Sequence, residues 1–175
     1  MRFLRTICLL FVTTSIFSQE VNIIPKPAKI EYQKGSYFVT PKTKIIALPA
    51  HTKLLSYIND YLLSNYGYKL LVSNNPDDKG IKLIADEKNV EEKGGYKLKI
   101  NGDGVIISGN DDGLFRGVTT LLQLFPVEKK MVFKVNYCTI TDFPRFAYRG
   151  MHLDCCRHFW PVDFIKKYID YLALH

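Results

Sequence analysis

Short stretches in which apolar and polar residues alternate occur along most of the chain, and this period of two predicts β-strands. The predicted strands cover residues 29–32, 37–40, 44–47, 69–72, 81–85, 96–100 and 105–108. The first two lie on either side of Gly35-Ser36, a pair that favours a turn. The last two are joined by residues 101–104 (NGDG), so they are predicted to form an antiparallel hairpin.

Two other stretches repeat apolar residues every three or four positions, which is the period of an amphipathic helix. The first covers residues 54–62, and Gly67 follows it as a natural stop. The second covers residues 114–125, and Asn110 or Asp111 could cap its first turn. Both helices are therefore predicted to bury one face against the strands.

The order of these elements predicts an α+β domain over residues 21–141, with a mainly antiparallel sheet and two helices. A proline-bearing connector at 142–146 follows, then a predicted strand at 148–154 and a helix that begins near Pro161. One strand and one helix cannot bury their own apolar faces. Residues 142–175 are thus predicted to open a larger sheet or barrel, and the alternative is a single small α/β domain.

The first 18 residues have the pattern of a secretory signal peptide. Arg2 and Arg5 precede an apolar run at 7–17, and Ser18 is a small residue near the expected cleavage point. The run is too short to cross a bilayer, which takes about 20 residues. A buried N-terminal helix is the alternative, but it leaves the two arginines unexplained. We expect a protein exported to the periplasm or the extracellular space, with no membrane span after cleavage.

Composition and charge narrow the classes of protein further. The chain has 175 residues, of which 47% are hydrophobic and 23% charged, and this excludes a disordered protein. The net charge is +7, and removal of the two leader arginines leaves 22 basic and 17 acidic residues. The lysines are scattered among apolar residues, with no arginine-rich run and no aromatic–basic motif. The excess charge therefore indicates solubility, and no nucleic-acid partner is expected.

Three cysteines remain after the leader, namely Cys138, Cys155 and Cys156. An odd number in an exported chain gives no disulfide framework, so buried free thiols are expected. His152 and His158 lie close to the last two cysteines, which raises the possibility of a metal site. Strand alternation would place Cys155 on the face opposite His152, and the chain has no second group of ligands, so no metal is expected.

Residues 142–174, DFPRFAYRGMHLDCCRHFWPVDFIKKYIDYLAL, resemble the opening of the catalytic barrel of family 20 glycoside hydrolases, the exo-acting β-N-acetylhexosaminidases. The shared elements are P-R-F, R-G, L-D-x-x-R-H-F and a helix led by proline. Residues 112–124 (DGLFRGVTTLLQL) and 24–27 (IPKP) are similar to the last helix and the start of the family's N-terminal domain. The resemblance implies that residues 142–175 are the first βα unit of a truncated (β/α)8 TIM barrel.

The resemblance also implies a retaining, substrate-assisted hydrolysis of terminal β-linked N-acetylglucosamine or N-acetylgalactosamine, without a metal or organic cofactor. In this family an Asp followed directly by a Glu lies on a later barrel strand. The Glu protonates the leaving oxygen, and the Asp orients the acetamido group that attacks the anomeric carbon. In this chain Asp86-Glu87 lies in a polar loop upstream of the barrel. The resemblance thus implies no catalytic residue in this chain, which alone should be inactive.

Arg149 matches the family arginine that hydrogen-bonds outer hydroxyls of the terminal sugar. A guanidinium suits that task because its planar fork of donors can hold two neighbouring oxygens. An ion pair that braces the domain junction is the alternative role for Arg149. Asp154, Arg157 and His158 also match family positions and are assigned supporting roles.

Two other functions stay open at this point. A non-catalytic carbohydrate-binding or accessory module would explain a complete N-terminal domain beside an incomplete catalytic one. Another glycosidase with the same N-terminal architecture is the second, although the L-D-x-x-R-H-F run argues against it. For the enzyme, the expected partner is a glycan or glycoconjugate with a terminal β-linked N-acetylhexosamine.

Overall fold

The computed structural model describes residues 23–86 and 92–175, which form one seven-stranded sheet and three α-helices. The strands are β1 (Lys29–Val39), β2 (Lys44–Ile46), β3 (Leu71–Ser73), β4 (Gly80–Ala85), β5 (Tyr96–Asn101), β6 (Gly104–Gly109) and β7 (Phe133–Asp142). The helices are α1 (Thr52–Tyr66), α2 (Asp111–Gln123) and α3 (Val162–Leu174). The predicted signal peptide at 1–18 lies outside the described residues.

The sheet is mixed, so the prediction of a mainly antiparallel sheet holds for only half of its pairings. Its strand order is β1-β7-β5-β6-β4-β2-β3. The three pairings from β1 to β6 are antiparallel, and the three from β6 to β3 are parallel. Helix α1 explains why β2 and β3 are parallel at one edge of the sheet, because a helical crossover from β2 returns the chain in the same direction to β3. The alternation of side chains along a strand carries no information about the direction of its neighbour.

Strand β1 is a single strand, so the two short strands predicted at 29–32 and 37–40 are not separate. Its register against β7 shifts between Tyr32 and Ser36, where the strand bulges without reversing. Strand β7 itself is not among the predicted strands. Beside the bulge, the buried positions of β7 change from Phe133 and Val135 to Cys138 and Ile140. This change of phase breaks the period of two on which the sequence prediction depends.

The two predicted helices of the domain are confirmed, together with their end signals. Gly67 has a left-handed conformation with φ 81°, and its N–H donates to the carbonyl oxygens of Leu62 and Leu63. At the start of α2 the Asn110 side chain accepts a hydrogen bond of 2.8 Å from the Gly113 N–H. Such a cap stabilises a helix by about 1 kcal/mol. Both helices bury their apolar faces in one core against the sheet.

The cysteines differ from the expectation in one respect. Cys138 on β7 is buried in the core, and this burial raises the pKa of its thiol to about 11. Cys155 and Cys156 are free but exposed, so the prediction that all three thiols are buried is wrong for these two. The reason is local: the segment that carries them belongs to no sheet, and nothing in the described part of the chain covers it.

Helix α3 confirms the helix predicted near Pro161 and lies against α2. The amide of Gln123, the last residue of α2, makes the junction. Its oxygen accepts from the Ile24 N–H (2.8 Å), and its nitrogen donates to the carbonyl oxygens of Ile24 (3.0 Å) and Leu174 (2.7 Å). Among the described residues no helix is both long and apolar enough to cross a bilayer.

Replacement of Gln123 by alanine is expected to loosen α3 while the rest of the domain stays folded. The change removes the bond to Leu174 and both bonds to Ile24, at a cost of about 1–2 kcal/mol of local stability. Proteolytic cleavage within α3 should then become about five- to thirtyfold faster. Limited proteolysis with mass spectrometry measures this, and Gln33→Ala on the exposed part of β1 is the matched control. Equal cleavage rates for the two variants would contradict the proposed role of Gln123.

Candidate functional site

The connector after β7 is held to the body of the domain by two side chains. Asp142 accepts hydrogen bonds from the Ala28 N–H (2.9 Å) and from the Tyr96 hydroxyl (3.4 Å). Arg145 donates to the Lys26 carbonyl oxygen at 3.2 Å. Tyr96 is almost completely buried, and its hydroxyl also lies 2.5 Å from that of Thr120. These contacts fix where the chain leaves the sheet and begins the segment that carries the predicted site residues.

Burial controls the ionisation of the tyrosine at this anchor. Desolvation of the Tyr96 hydroxyl raises its pKa well above the ordinary value, and the neighbouring Asp142 carboxylate raises it further. The hydroxyl therefore stays protonated at neutral pH and keeps its proton to donate. The Asp142 carboxylate therefore has a fixed hydrogen-bond donor in this hydroxyl.

Arg149 is exposed, and its guanidinium forms no ion pair with any carboxylate of the described residues. The alternative role for this residue, an ion pair that braces the domain junction, is therefore not seen. Arg145, four residues earlier, makes the contact across the junction instead. The donors of Arg149 stay available for an acceptor outside the described chain.

The supporting residues form a compact turn around the Asp154 carboxylate. Its Oδ1 accepts from the backbone N–H groups of Cys156 (2.9 Å) and Arg157 (3.3 Å). The Arg157 Nε lies 3.3 Å from the other carboxylate oxygen, in an ion pair whose arginine is 91% exposed. The Trp160 indole N–H donates to the Asp154 carbonyl oxygen at 3.1 Å. Asp154 thus shapes the turn, since its two oxygens are both engaged locally.

A row of aromatic rings connects this turn to α3. The His158 ring meets Trp160 edge-on with centroids 4.5 Å apart, and Trp160 stacks on Phe164 at 4.3 Å. Tyr168 continues the row at 6.4 Å from Phe164. Trp160 and Phe164 were not among the predicted site residues. The signal that could have identified them is the spacing of four between Trp160, Phe164 and Tyr168, which lets a ring just before α3 stack with rings of its first turns.

The structure brings Asp154, Arg157 and His158 into one turn, and among the described residues no hydrogen bond or ion pair joins Arg149 to them. The strand predicted at 148–154 is wrong as a description of this structure, because these residues form no regular element. A strand needs a neighbour to pair its backbone N–H and C=O groups, and no described segment lies beside this one in a sheet.

The structure also locates the possible metal site and the first residue of the Asp86-Glu87 pair. In the described ranges no three His, Cys, Asp or Glu side chains come together as a set able to hold a metal ion, so the His152–His158 segment is not assembled as a metal site. Asp86 follows β4, and its N–H donates to the Gly109 carbonyl oxygen at 3.0 Å, while Glu87 lies outside the described residues. Asp86 therefore belongs to the sheet domain and not to the segment after β7.

An open groove of about 580 Å³ lies between α1 and the β2–β3 edge of the sheet. Its walls include Asn59 and Asp60 from α1, and Lys69 and Val72 from the chain that leads into and along β3. None of the predicted site residues lines it. Lys69 and Asp60 form an exposed ion pair of 3.1 Å across its mouth, which is typical of a solvated surface.

Comparison with protein families gives two adjacent matches. A model of glycosyl hydrolase family 20, domain 2, matches residues 20–143. A model of the glycosyl hydrolase family 20 catalytic domain matches residues 146–175.

Curated proteins of similar sequence are β-hexosaminidases. A β-hexosaminidase of Porphyromonas gingivalis is 33% identical over 168 residues, and the match covers 90% of this chain and 22% of that protein. A β-hexosaminidase of Vibrio vulnificus is 27% identical over 157 residues, covering 88% of this chain and 17% of that protein. The chain thus spans about a fifth of the length of these two curated relatives.

Solved structures of similar fold come from the same family. The family 20 β-N-acetylhexosaminidase of Streptomyces coelicolor superposes with a TM-score of 0.75 at 34% identity, over 87% of this chain and 32% of that one. A family 20 exo-β-N-acetylglucosaminidase of Vibrio harveyi, solved with N-acetylglucosamine, gives a TM-score of 0.74 at 31% identity, over 86% and 23% of the two chains. The mixed sheet and its helices are therefore those of a known N-terminal domain.

Proposed function

The chain belongs to glycosyl hydrolase family 20, and from this we propose that it is the N-terminal part of an exported β-N-acetylhexosaminidase. In this proposal residues 1–18 direct export, and residues 21–141 form the N-terminal domain. Residues 142–175 are the first strand and helix of a (β/α)8 catalytic barrel. The longer polypeptide that completes the barrel is called the full-length protein below.

The observation that carries the proposal is the match of residues 146–175 to the family's catalytic domain, on a segment that cannot complete its own packing. Along α3 the side chains of Val162, Ile169 and Leu172 are 63%, 56% and 38% exposed. No residue of α3 is buried. An apolar helix face left open in this way is expected where further elements of the same barrel cover it.

We propose that the full-length protein releases terminal β-linked N-acetylglucosamine or N-acetylgalactosamine from glycans with retention of anomeric configuration. A carboxyl group protonates the glycosidic oxygen while the substrate's own acetamido oxygen attacks the anomeric carbon. A neighbouring carboxylate orients that acetamido group, and water then completes hydrolysis. The Asp-Glu pair that would supply both carboxyl groups is assigned to a later barrel strand, outside the 175 residues of this chain.

Arg149 is proposed to hold outer hydroxyls of the terminal sugar. Its guanidinium is exposed and forms no ion pair with a carboxylate of the described residues, which supports this role, since two neighbouring hydroxyl oxygens fit its planar fork of donors. Asp154, Arg157 and His158 are proposed to support the site by fixing the turn that follows the first barrel strand. The contacts that support this are the two backbone bonds to the Asp154 carboxylate and the ring contact of His158 with Trp160.

The proposal is tested by comparing the 175-residue chain with the full-length protein on an aryl β-N-acetylglucosaminide. The full-length protein should release the aryl group, and the shorter chain should not. General acid catalysis alone accelerates such reactions by about 10²–10⁴-fold, and binding residues cannot replace it. Turnover by the purified 175-residue chain would contradict the assignment of the carboxyl groups. Sugar binding without turnover by the full-length protein would instead favour a non-catalytic carbohydrate-binding module.

A further inference from the structure

The face of the sheet that points away from α1 and α2 carries a grid of lysines. Along β5 the residues Lys97 and Lys99 alternate with buried neighbours, so both point to this outer face. Lys97 pairs in register with Thr141 of β7, which pairs in turn with Lys29 of β1. Lys99 pairs with Thr139 of β7. Laterally paired residues share a face, so these five side chains lie on one surface.

The grid continues to β4, where the Lys82 Nζ donates to the Pro76 carbonyl oxygen at 2.6 Å and also acts electrostatically on the Asp78 carboxylate. Lys99 pairs with Ile106 of β6, which pairs with Lys82 of β4. The carboxylate on the same rows is Glu31, which pairs with Thr139 in register and lies 2.7 Å from the Lys29 Nζ. These rows therefore combine four lysines with one glutamate.

Lys97 and Lys99 are the uncompensated part of the grid. Both are exposed, and neither forms an ion pair with a carboxylate of the described ranges. The charge of Lys97 acts on Glu31 across the face. The pKa of Glu31 is lowered first by the hydrogen bond and charge of Lys29, and also by the charge of Lys97. A mobile anion at the centre of this face would meet several ammonium groups and few competing carboxylates.

The spacing of the grid follows from the geometry of a sheet. Residues two apart on a strand are about 7 Å apart, and neighbouring strands are about 4.8 Å apart. Lys97 and Lys29, or Lys99 and Lys82, therefore lie about 10 Å apart across two strand spacings. Thr141 lies between the first two lysines and Ile106 between the second two, while Thr139 lies between Lys99 and Glu31. This gives regularly spaced cations on a flat surface that also offers hydrogen-bonding groups.

The chemistry of the rows favours an acidic polysaccharide over other polyanions. They contain no arginine to grip a phosphate with two parallel hydrogen bonds. The two rows themselves contain no aromatic ring on which a base could stack, and the neighbouring Tyr137 ring on this face is packed over Gly35. The hydroxyl of Thr141 between two lysines, and that of Thr139 beside Lys99, suit a partner that has both charged groups and free hydroxyls along its length.

The segment after β7 lies on the side of the sheet opposite the lysines. Helix α3, within the segment that matches the catalytic domain, lies against α2 on the opposite face of the sheet. Gln123 holds the end of α3 there through the Leu174 carbonyl oxygen. Elements that follow α3 therefore begin on the helical side.

We propose that the outer face of the sheet, centred on Lys97 and Lys99, is a binding surface for acidic polysaccharides that carry sulfate or carboxylate groups. The choice of a glycan as the partner rests on the proposed glycosidase function, whereas the requirement for an anion does not. Such a surface would hold an anionic polymer next to the catalytic domain without taking part in bond cleavage.

The test measures the affinity of the 175-residue chain for a heparin-derived octasaccharide over a range of salt concentrations. The chain should bind, and the double variant Lys97→Gln/Lys99→Gln should bind about tenfold more weakly at low ionic strength, near about 50 mM salt. The slope of log affinity against log salt should fall by about one for each lysine removed. The matched control is Lys53→Gln/Lys129→Gln, which makes the same charge change at exposed positions off this face and should change affinity less than about twofold.

The outcomes separate the parts of the proposal. Absence of octasaccharide binding, or equal weakening by the two double variants, would overturn the assigned surface. Tighter binding of double-stranded DNA or of phosphatidylserine vesicles, lost in the same variant, would overturn the partner class. Failure of the full-length protein to hydrolyse a β-N-acetylhexosaminide would refute the proposed enzyme function, yet the binding measured on this chain would be unaffected.

Discussion

The full-length protein with Arg149→Lys should show a kcat/KM about ten- to a hundredfold lower on an aryl β-N-acetylglucosaminide. Lysine keeps the positive charge but loses the two-pronged geometry that holds two hydroxyls at once. A hydrogen bond to a charged group contributes about 1.5–3 kcal/mol, which corresponds to that range of transition-state stabilisation. Steady-state kinetics of the two purified proteins measure the change.

The stability of the variant separates this effect from a folding defect. Arg149 is exposed and has no ion pair in the described chain, so the melting temperature of the Arg149→Lys protein should equal that of the unchanged protein. Arg145→Lys is the matched control, because a lysine ammonium can also donate to the Lys26 carbonyl oxygen that Arg145 contacts. An unchanged kcat/KM for Arg149→Lys, or an equal loss in both variants, would refute the proposed role in sugar recognition.

The second large effect is expected for Gly104→Ala, which should destabilise the domain by about 2–6 kcal/mol. Gly104 has φ +134°, a conformation that side chains rarely adopt, and this costs about 1–3 kcal/mol for alanine. A Cβ atom there would lie 2.2 Å from the Gly80 carbonyl oxygen, on the strand β4 that pairs with β6. Moving that backbone apart adds about 1–3 kcal/mol more.

Chemical denaturation of the 175-residue chain measures this loss, and Gly67→Ala is its control. Gly67 also has a positive φ, at +81°, but nothing lies within 4 Å of an added Cβ atom. Its replacement should therefore cost only the backbone strain, about 1–2 kcal/mol. If the two substitutions were equally mild, the close approach of β4 and β6 at Gly104 would be disproved.

Elements with local signals could be predicted from the sequence. Helix α1 ends at Gly67 as expected, α2 begins at the Asn110 cap, and the hairpin of β5 and β6 turns at the NGDG segment. Each depends on residues within a few positions of one another. Parallel pairing and strand order depend on contacts far apart in the chain, such as β1 with β7, and no local pattern encodes them.

The site could be predicted only in part, for a related reason. The resemblance proposes Arg149, Asp154, Arg157 and His158 as site residues, but that Asp154 accepts hydrogen bonds within its own turn could be learned only from the three-dimensional structure. The strand predicted at 148–154 requires neighbours that the described chain does not provide. Alternation along a segment indicates that it can pair, whereas pairing itself needs a second strand.

The most direct test of the proposed enzyme is proton NMR of the sugar first released from an aryl β-N-acetylglucosaminide by the full-length protein. We predict that the β-anomer of N-acetylglucosamine appears first and that the α-anomer follows only through mutarotation, since attack by the acetamido group and then by water inverts the anomeric carbon twice. First appearance of the α-anomer, or no release of sugar at all, would contradict the assignment of this chain to a retaining β-N-acetylhexosaminidase.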